Sequence, residues 1–336
     1  MGEWAFRHRQ WAPYLLLAPG LIWLAIFYAF PAFQMFLASL SVGTIETGFT
    51  FTFQVSNYTD SLTRYSDQFI RSLAYGLAAT IIAFLIAFPL AYAIAFRAGR
   101  YRNLMLFLVI APFFTSFLLR TLSWKIILSD NGMIVGVLKS LGVVPEDFRL
   151  LATPAAVVAG ITYNFLPFMT LPLYVALEKI DRRLVEAAED LYAGPWRPGG
   201  TIVGTLVGAG LVGVLTWIFE WSVPAGVVFG AVVGGLIGTL FVSQSFLWVI
   251  LPLSLPGVFA GSLLTFIPAV GDYVNAELLG TPTAQMIGNV IQSRFLKVND
   301  IPTASALSFT LMAMILFAVF IYARALGTED LTGGAV

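Results

Sequence analysis

Few residues of this sequence combine a reactive side chain with a spacing that supports catalysis or cofactor binding. The chain has one histidine, His8, and no cysteine, so histidine-based triads, two-histidine zinc motifs and thiolate sites cannot be assembled from it. The pattern G-x-x-x-x-G-K-[ST], which cradles the phosphates of ATP, does not occur in the sequence. We therefore expect neither an enzyme nor a metal site, and no nucleotide site on this chain.

The glycines of GAGLVG, residues 208–213, match the dinucleotide-binding pattern G-x-G-x-x-G. That pattern binds pyrophosphate only between a strand and a helix, and an acidic residue follows about 20 positions later. Here the pattern lies inside a long apolar block, and Glu220 follows too soon. Close packing between helices is the better interpretation of these glycines.

Polar and aromatic side chains within or just beyond apolar stretches are the remaining candidates for function. Such groups are costly in a membrane unless they face a cavity or a neighbouring helix. The candidates are Trp124, Tyr163, Asn164, Asp272, Tyr273 and Glu277. Each also has a structural interpretation, because an amide or a phenol can bond neighbouring helices and an acid can be a solvated loop charge. Arg120 and Lys125 would repel a cation if they faced the same cavity.

The composition identifies the class of protein that must position these side chains. Of 336 residues, 59% are hydrophobic and 11% are charged, and the mean hydropathy is +0.87. Soluble domains have about 45–50% apolar and about 25% charged residues, so the sequence predicts an all-α integral membrane protein. The 18 basic and 18 acidic residues give no net charge, which argues against a nucleic-acid partner.

Six apolar stretches of about 20 residues or more are long enough to cross a bilayer. They are 13–40, 69–96, 103–122, 154–177, 246–270 and 303–324. Basic residues are concentrated before the first stretch and in the loops after the second and the fourth, and loops rich in Lys and Arg stay in the cytoplasm. We therefore expect one membrane domain over residues 1–336, with both termini in the cytoplasm.

A further apolar block, residues 201–242, lies between the fourth and fifth stretches. Its two halves flank the turn-like string FEWSVPAG and predict an inserted hydrophobic hairpin over residues 198–243. Glycines recur every four residues in the second half, which permits close helix contact: Gly226, Gly230, Gly234 and Gly238. Each half is at the lower limit for a full crossing, so the hairpin either spans the membrane or packs at its interface.

The charged segment 178–197 follows the fourth stretch. Its apolar positions are spaced three or four residues apart: Leu177, Ile180, Leu184, Ala187 and Leu191. This periodicity predicts a short amphipathic helix on the cytoplasmic side of the membrane. A solvated loop between two spans is the alternative.

Two strings place the sequence near a known family. EAAEDLYAG (186–194) and LPLSLPG (251–257) resemble the signature of permease subunits in type I ABC importers. Longer strings resemble the spermidine/putrescine permease in particular: 111–132, 166–181, 251–274 and 287–296. The resemblance covers nearly the whole chain except residues 198–243.

The resemblance implies a fold and a function. The fold is the six-span importer permease bundle, here with an inserted Gly-rich hairpin, in a bacterial inner membrane. The function is half of an ATP-driven path for polyamines, lined by the six polar and aromatic candidates. The implied partners are a second permease subunit, two ATPase subunits that bind ATP and Mg²⁺, and an extracytoplasmic substrate-binding protein. No cofactor is implied for this chain itself.

The resemblance also assigns the charged helix to coupling with the ATPase subunit. The residues that carry the motif are Glu186, Ala187, Ala188, Asp190, Leu191 and Gly194. Two departures affect it: Tyr192 stands where the family has glycine, and residues 198–243 interrupt the signature. Another small solute is the alternative cargo. A secondary transporter is a further alternative, although the inverted repeats expected of one are not visible.

Overall fold

The computed structural model describes residues 12–44, 47–142, 144–191 and 249–325. Within these ranges, five helical segments are long and apolar enough to cross a membrane. They are Leu16–Ser39, Ser66–Arg97, Pro154–Glu178, Leu251–Val270 and Ile301–Arg324. They confirm the predicted all-helical membrane fold. The predicted hairpin 198–243 lies outside the described residues.

The described elements are helices, with one short β-hairpin after the second of them. They are α1 (Ala12–Leu24), α2 (Phe30–Ser39), β1 (Ser41–Thr44), β2 (Gly48–Phe51), α3 (Ser56–Arg64), α4 (Ser66–Tyr92), α5 (Arg102–Ile110), α6 (Phe117–Ile127), α7 (Met133–Ser140), α8 (Pro154–Glu178), α9 (Arg182–Leu191), α10 (Leu251–Val270), α11 (Tyr273–Leu279), α12 (Ile287–Gln292) and α13 (Ile301–Ala325). A π-helical turn, Ala93–Arg97, extends α4.

The third predicted span, 103–122, is bent and not one continuous helix. Helix α5 runs into a 3₁₀ turn, Ala111–Phe114, and α6 then departs at 95°. The intervening Thr115 has an extended backbone with ψ 152°, and its Oγ1 donates to the Pro112 carbonyl over 2.7 Å. Because Pro112 has no N–H and a local side-chain bond competes with the helix ladder, the chain turns here. The predicted third span is therefore a bent helix pair.

Helices α8 and α10 pack against each other at close range. A Cβ on Gly257 would lie 2.5 Å from the Ala176 Cβ, and one on Gly261 would lie 2.9 Å from the Met169 sulfur. The two glycines form a G-x-x-x-G motif, whose small residues let helix backbones approach. This contact fixes the fourth span against the fifth.

The chain divides into two compact units, Met1–Ser66 with Val290–Met314 and Asp67–Asn289 with Ile315–Val336. In the first unit, β1 and β2 form an antiparallel hairpin that is bonded to the following helix. The Asn57 amide on α3 donates to the carbonyl oxygens of Ser39 (2.9 Å) and Ser41 (3.0 Å). The candidate functional residues all belong to the second unit.

Candidate functional site

A cluster of four buried polar side chains joins helices α6, α8 and α11. The cluster consists of Thr121 on α6, Asn164 on α8, and Asp272 and Asn275 at the start of α11. Their exposed fractions are between 0% and 7%. Because buried polar groups are stable only where they are hydrogen-bonded, this polar cluster depends on the bonds among its members.

Asn275 is the centre of the polar cluster. Its Nδ2 donates to Asp272 Oδ2 over 2.6 Å. Its Oδ1 accepts from Asn164 Nδ2 over 3.2 Å and from Thr121 Oγ1 over 3.4 Å. Asn164 Nδ2 also donates to Thr121 Oγ1 over 3.3 Å. One amide side chain therefore ties α11 to both α6 and α8.

Asp272 begins α11 as its N-cap. Its Oδ1 accepts from the backbone N–H groups of Val274 and Asn275, each over 3.0 Å, which satisfies two donors of the first helical turn. Burial raises the pKa of the Asp272 carboxyl, and the hydrogen bonds from Asn275 and from the backbone oppose that rise. Both carboxylate oxygens thus already accept hydrogen bonds, so Asp272 is a buried helix cap and not a solvated loop charge.

Gly160 allows α11 to lie against α8. A Cβ at this position would lie 2.4 Å from Leu279 Cδ1 and 2.7 Å from Asn275 Oδ1. Gly160 is four residues before Asn164, so the two positions lie on the same face of α8. The missing side chain leaves the space through which the Asn275 amide reaches Asn164.

The Asn164 amide is only partly satisfied. Its Oδ1 is buried and has no hydrogen-bond partner among the described residues. Leaving an acceptor in that state costs about 1–3 kcal/mol. Within the polar cluster, this is the one side-chain oxygen without a hydrogen-bond partner among the described residues.

An aromatic pair lies beside the polar cluster. The rings of Trp124 on α6 and Tyr163 on α8 meet edge to face, with centroids 5.3 Å apart. Both side chains are half-buried. Trp124 follows Thr121 by three residues and Tyr163 directly precedes Asn164, so the pair and the cluster share two helices. Aromatic faces of this kind attract organic cations.

The structure brings together four of the six predicted path residues and leaves two on the exposed side of α11. Asn164 and Asp272 meet through Asn275, and Trp124 meets Tyr163. Tyr273 is 39% exposed and Glu277 is also exposed.

Sequence analysis did not identify Thr121 or Asn275. The Asn275 signal was present, because an Asp at the N-cap with a polar residue at the third helical position resembles a capping box. Thr121 offered no such signal, because a threonine within an apolar helix is common.

Arg120 is buried and surrounded by aromatic rings. It is 9% exposed, and its Cζ lies 4.9 Å from the Phe113 ring centroid and 5.8 Å from that of Phe117. Within the described ranges it forms no ion pair, and its Nε has no hydrogen-bond partner. The positive charge of α6 is therefore stabilised by ring faces and not by a carboxylate.

Helix α9 occupies the predicted charged segment. Asp181 precedes it and accepts from the Arg183 backbone N–H over 3.0 Å. Glu186, Ala187 and Asp190 are exposed on this helix. Ala188 and Leu191 also belong to α9, whereas Gly194 lies outside the described residues. The exposed face is available to another protein.

The part of the chain that the structure describes contains no group of three or more His, Cys, Asp or Glu residues placed to hold a metal ion.

Comparison with known proteins gives close relatives by sequence. The chain is 33% identical to the spermidine/putrescine transport system permease protein PotB of Haemophilus influenzae over 304 residues, which is 90% of each chain. It is 32% identical to PotB of Escherichia coli K12, over 90% of this chain and 94% of that protein. The inner membrane ABC transporter permease protein YdcU of E. coli K12 is 27% identical, over 94% of this chain and 90% of that protein. No protein-family model matches the chain.

Solved structures match the fold. A bacterial alginate ABC transporter, crystallised in complex with a periplasmic protein that binds an alginate pentasaccharide, contains a chain that superposes with a TM-score of 0.57. The match covers 100% of both chains at 18% identity. A second alginate importer structure matches with a TM-score of 0.50 and 19% identity, over 96% of this chain and 98% of that one. At this identity the likeness concerns the fold alone.

Proposed function

The chain belongs to the family of ABC-transporter permeases that includes the spermidine/putrescine permease PotB, and we propose that it forms half of the membrane path of an ATP-driven polyamine importer. The observation that carries the proposal is the similarity to PotB over nine tenths of both chains. The described helices, five of membrane length and one bent pair, support a permease role.

The proposed path runs beside α6, α8 and α11. A polyamine is a flexible polycation with methylene segments, so its path requires carboxylates or carbonyl acceptors together with aromatic faces. The Trp124 and Tyr163 rings, the unpartnered Asn164 Oδ1 and the exposed Glu277 carboxylate have this chemistry. In this proposal Asp272 acts indirectly, by holding α11 and Asn275 in place.

The proposed partners follow from the family. A second permease subunit completes the path, an extracytoplasmic protein delivers the solute, and two ATPase subunits bind ATP and Mg²⁺. Helix α9 docks on one ATPase subunit through Glu186, Ala187 and Asp190, which are exposed for such a contact. This arrangement places α9 and both termini on the cytoplasmic side of a bacterial inner membrane. The chain itself hydrolyses no ATP and binds no cofactor.

A different small solute is the second candidate cargo, and Arg120 is the observation that favours it. Its buried guanidinium lies four helical positions from Trp124 and has no carboxylate partner within the described residues. If Arg120 faced the path, it would repel a polycation and attract an anionic group. Its contacts with Phe113 and Phe117 support the polyamine proposal, because they hold the charge against aromatic rings.

The experiment is uptake of radiolabelled spermidine and putrescine by proteoliposomes that contain the complete reconstituted complex. We expect uptake that requires ATP and the binding protein, and that falls in the Glu186→Ala variant while the complex still assembles. A control with a non-hydrolysable ATP analogue measures passive leak. If the complex takes up no polyamine but its ATP hydrolysis is stimulated by a different solute, the proposed cargo is wrong and the proposed importer function stands.

A further inference from the structure

We propose that Arg102, Glu178 and Arg182 are positioning residues that fasten helix α9 to the second and third spans, so that movement of α9 reaches both. This inference rests on the proposed function, in which α9 docks on an ATPase subunit. None of the three residues belongs to the glutamate-alanine-alanine motif. Each connects two elements that are far apart in the sequence.

The first connection joins the end of α8 to the start of α5. Glu178 is the last residue of α8, and its Oε1 forms an ion pair with the guanidinium of Arg102, the first residue of α5. The two side chains are 41% and 38% exposed. The Arg102 Cζ also lies 5.1 Å from the ring centroid of Tyr174, which is buried one turn earlier on α8. The third span therefore begins in contact with the helix that leads into α9.

The second connection joins α9 directly to the end of the second span. Arg182, the first residue of α9, donates to the carbonyl oxygen of Ala95 over 3.3 Å. Ala95 belongs to the π-helical turn Ala93–Arg97. A π-helical turn changes the pairing of the backbone ladder and the last carbonyls of a helix lack partners, so an arginine side chain can cap this end.

The connector between α8 and α9 is itself anchored by apolar packing. Leu177 and Ile180 are buried in the same cluster as Ala91 and Ile94 of the second span. Only residues 179–181 separate α8 from α9. The start of α9 is thus held by an ion pair, a capping arginine and a buried isoleucine. A displacement of α9 must move these neighbours or break the contacts.

Charge reversal tests the ion pair in the complete reconstituted complex. The measured quantity is spermidine transported per ATP hydrolysed, for Arg102→Glu, Glu178→Arg and the double variant that exchanges the charges. An exposed ion pair contributes little to folding, so we expect each single variant to assemble. We expect solute moved per ATP to fall about twofold to fivefold in each single variant, the range that such a pair can supply, and to recover in the double variant.

The matched control is Arg100→Glu. Arg100 lies two residues from Arg102, but its guanidinium contacts the adjacent Tyr101 and, among the residues that the structure describes, no other span. We expect this variant to keep the wild-type ratio, although its change in charge is the same. A loss in Arg100→Glu equal to that in Arg102→Glu would assign the effect to surface charge and overturn the proposal.

Two further outcomes decide the remaining cases. Single variants with the wild-type ratio, or a double variant that assembles without recovery, would overturn the proposal. If a charge-reversal variant does not assemble, the neutral variants Arg102→Gln and Glu178→Gln are used instead. The proposal then requires that the double neutral variant loses no more spermidine transport per ATP than either single variant. A wild-type complex whose ATP hydrolysis drives uptake of no solute would refute the proposed function and this inference with it, whereas failure of the variants alone refutes only the inference.

Discussion

Removing the Asn275 side chain should destabilise the protein more than removing the Asn164 side chain of the same polar cluster. Asn275→Ala deletes the donor to Asp272 Oδ2 and the acceptor shared by Asn164 and Thr121. All of these groups are buried, so none regains a bond to bulk water. Asn164 keeps one partner, because its Nδ2 also donates to Thr121.

The magnitude follows from these contacts. The bond to the Asp272 carboxylate is charge-assisted and contributes about 1.5 kcal/mol or more. The two bonds to neighbouring helices contribute about 0.6 kcal/mol each, the mean for interhelical bonds in membranes. We therefore expect the free energy of unfolding to fall by about 2–3 kcal/mol. Asn164→Ala should cost about 0–1 kcal/mol, because it also removes the unpartnered buried Oδ1.

The assay is equilibrium unfolding of the purified chain in mixed micelles with an increasing fraction of sodium dodecyl sulfate. Glu277→Gln is the control, since Glu277 is exposed on the same helix, and it should change the free energy by less than about 0.5 kcal/mol. The Asn164→Ala and Asn275→Ala double variant should lose less than the sum of the single losses. A larger loss in Asn164→Ala than in Asn275→Ala would refute the reasoning.

Three other predictions concern packing, pH and the path. Gly257→Ala places a Cβ 2.5 Å from that of Ala176 and should cost about 1–3 kcal/mol of unfolding free energy. The control Gly136→Ala, whose Cβ would meet no atom within 4 Å, should not destabilise the protein. Equal effects of the two variants would show that the close approach of the helices is not needed. Because burial raises the pKa of Asp272, the folded state binds the carboxyl proton more tightly than the unfolded chain does. The stability of the wild type relative to Asp272→Asn should therefore fall as pH rises from the ordinary carboxyl pKa through the raised value. A difference in unfolding free energy that rises or stays constant over this pH range would contradict the prediction. Trp124→Leu should raise the KM for spermidine uptake about five- to thirtyfold, the effect of losing about 1–2 kcal/mol of cation–π energy. Trp124→Phe keeps an aromatic face and should restore most of the wild-type affinity. An unchanged KM in Trp124→Leu would remove Trp124 from the path.

The spans could be predicted because length and hydrophobicity are local properties of the sequence. Five apolar stretches became helices of membrane length, with ends within a few residues of those expected. The same local rule identified the third stretch but gave no sign of the 95° bend within it. Pro112 is present in this stretch, but a proline is compatible either with a kink in one continuous helix or with the end of that helix. In the structure the Thr115 hydroxyl also bonds back to the Pro112 carbonyl at this bend.

The polar cluster could be predicted only in part because its members are distant in sequence. Asn164 bonds Thr121 across 43 residues and Asn275 across 111. The cost of burying a polar group in a membrane identified Asn164 and Asp272 as candidates. Their common partner was not identifiable, because it depends on how closely α11 approaches α8. Gly160 controls that approach through the side chain it lacks.

The chain segments on either side of the interrupted family signature lie close together in the structure. Ile180, just before α9, and Ile250, just after the interruption, belong to one buried cluster. The described contacts that hold the start of α9 come from Ala95, Glu178 and Arg102, all of which precede the interruption. The described contacts of α9 with the second span, and of the preceding helix end with the third span, are thus made by residues outside the inserted block. Because the motif glutamate, Glu186, is exposed on that anchored helix, the insertion and the coupling contact can be tested independently.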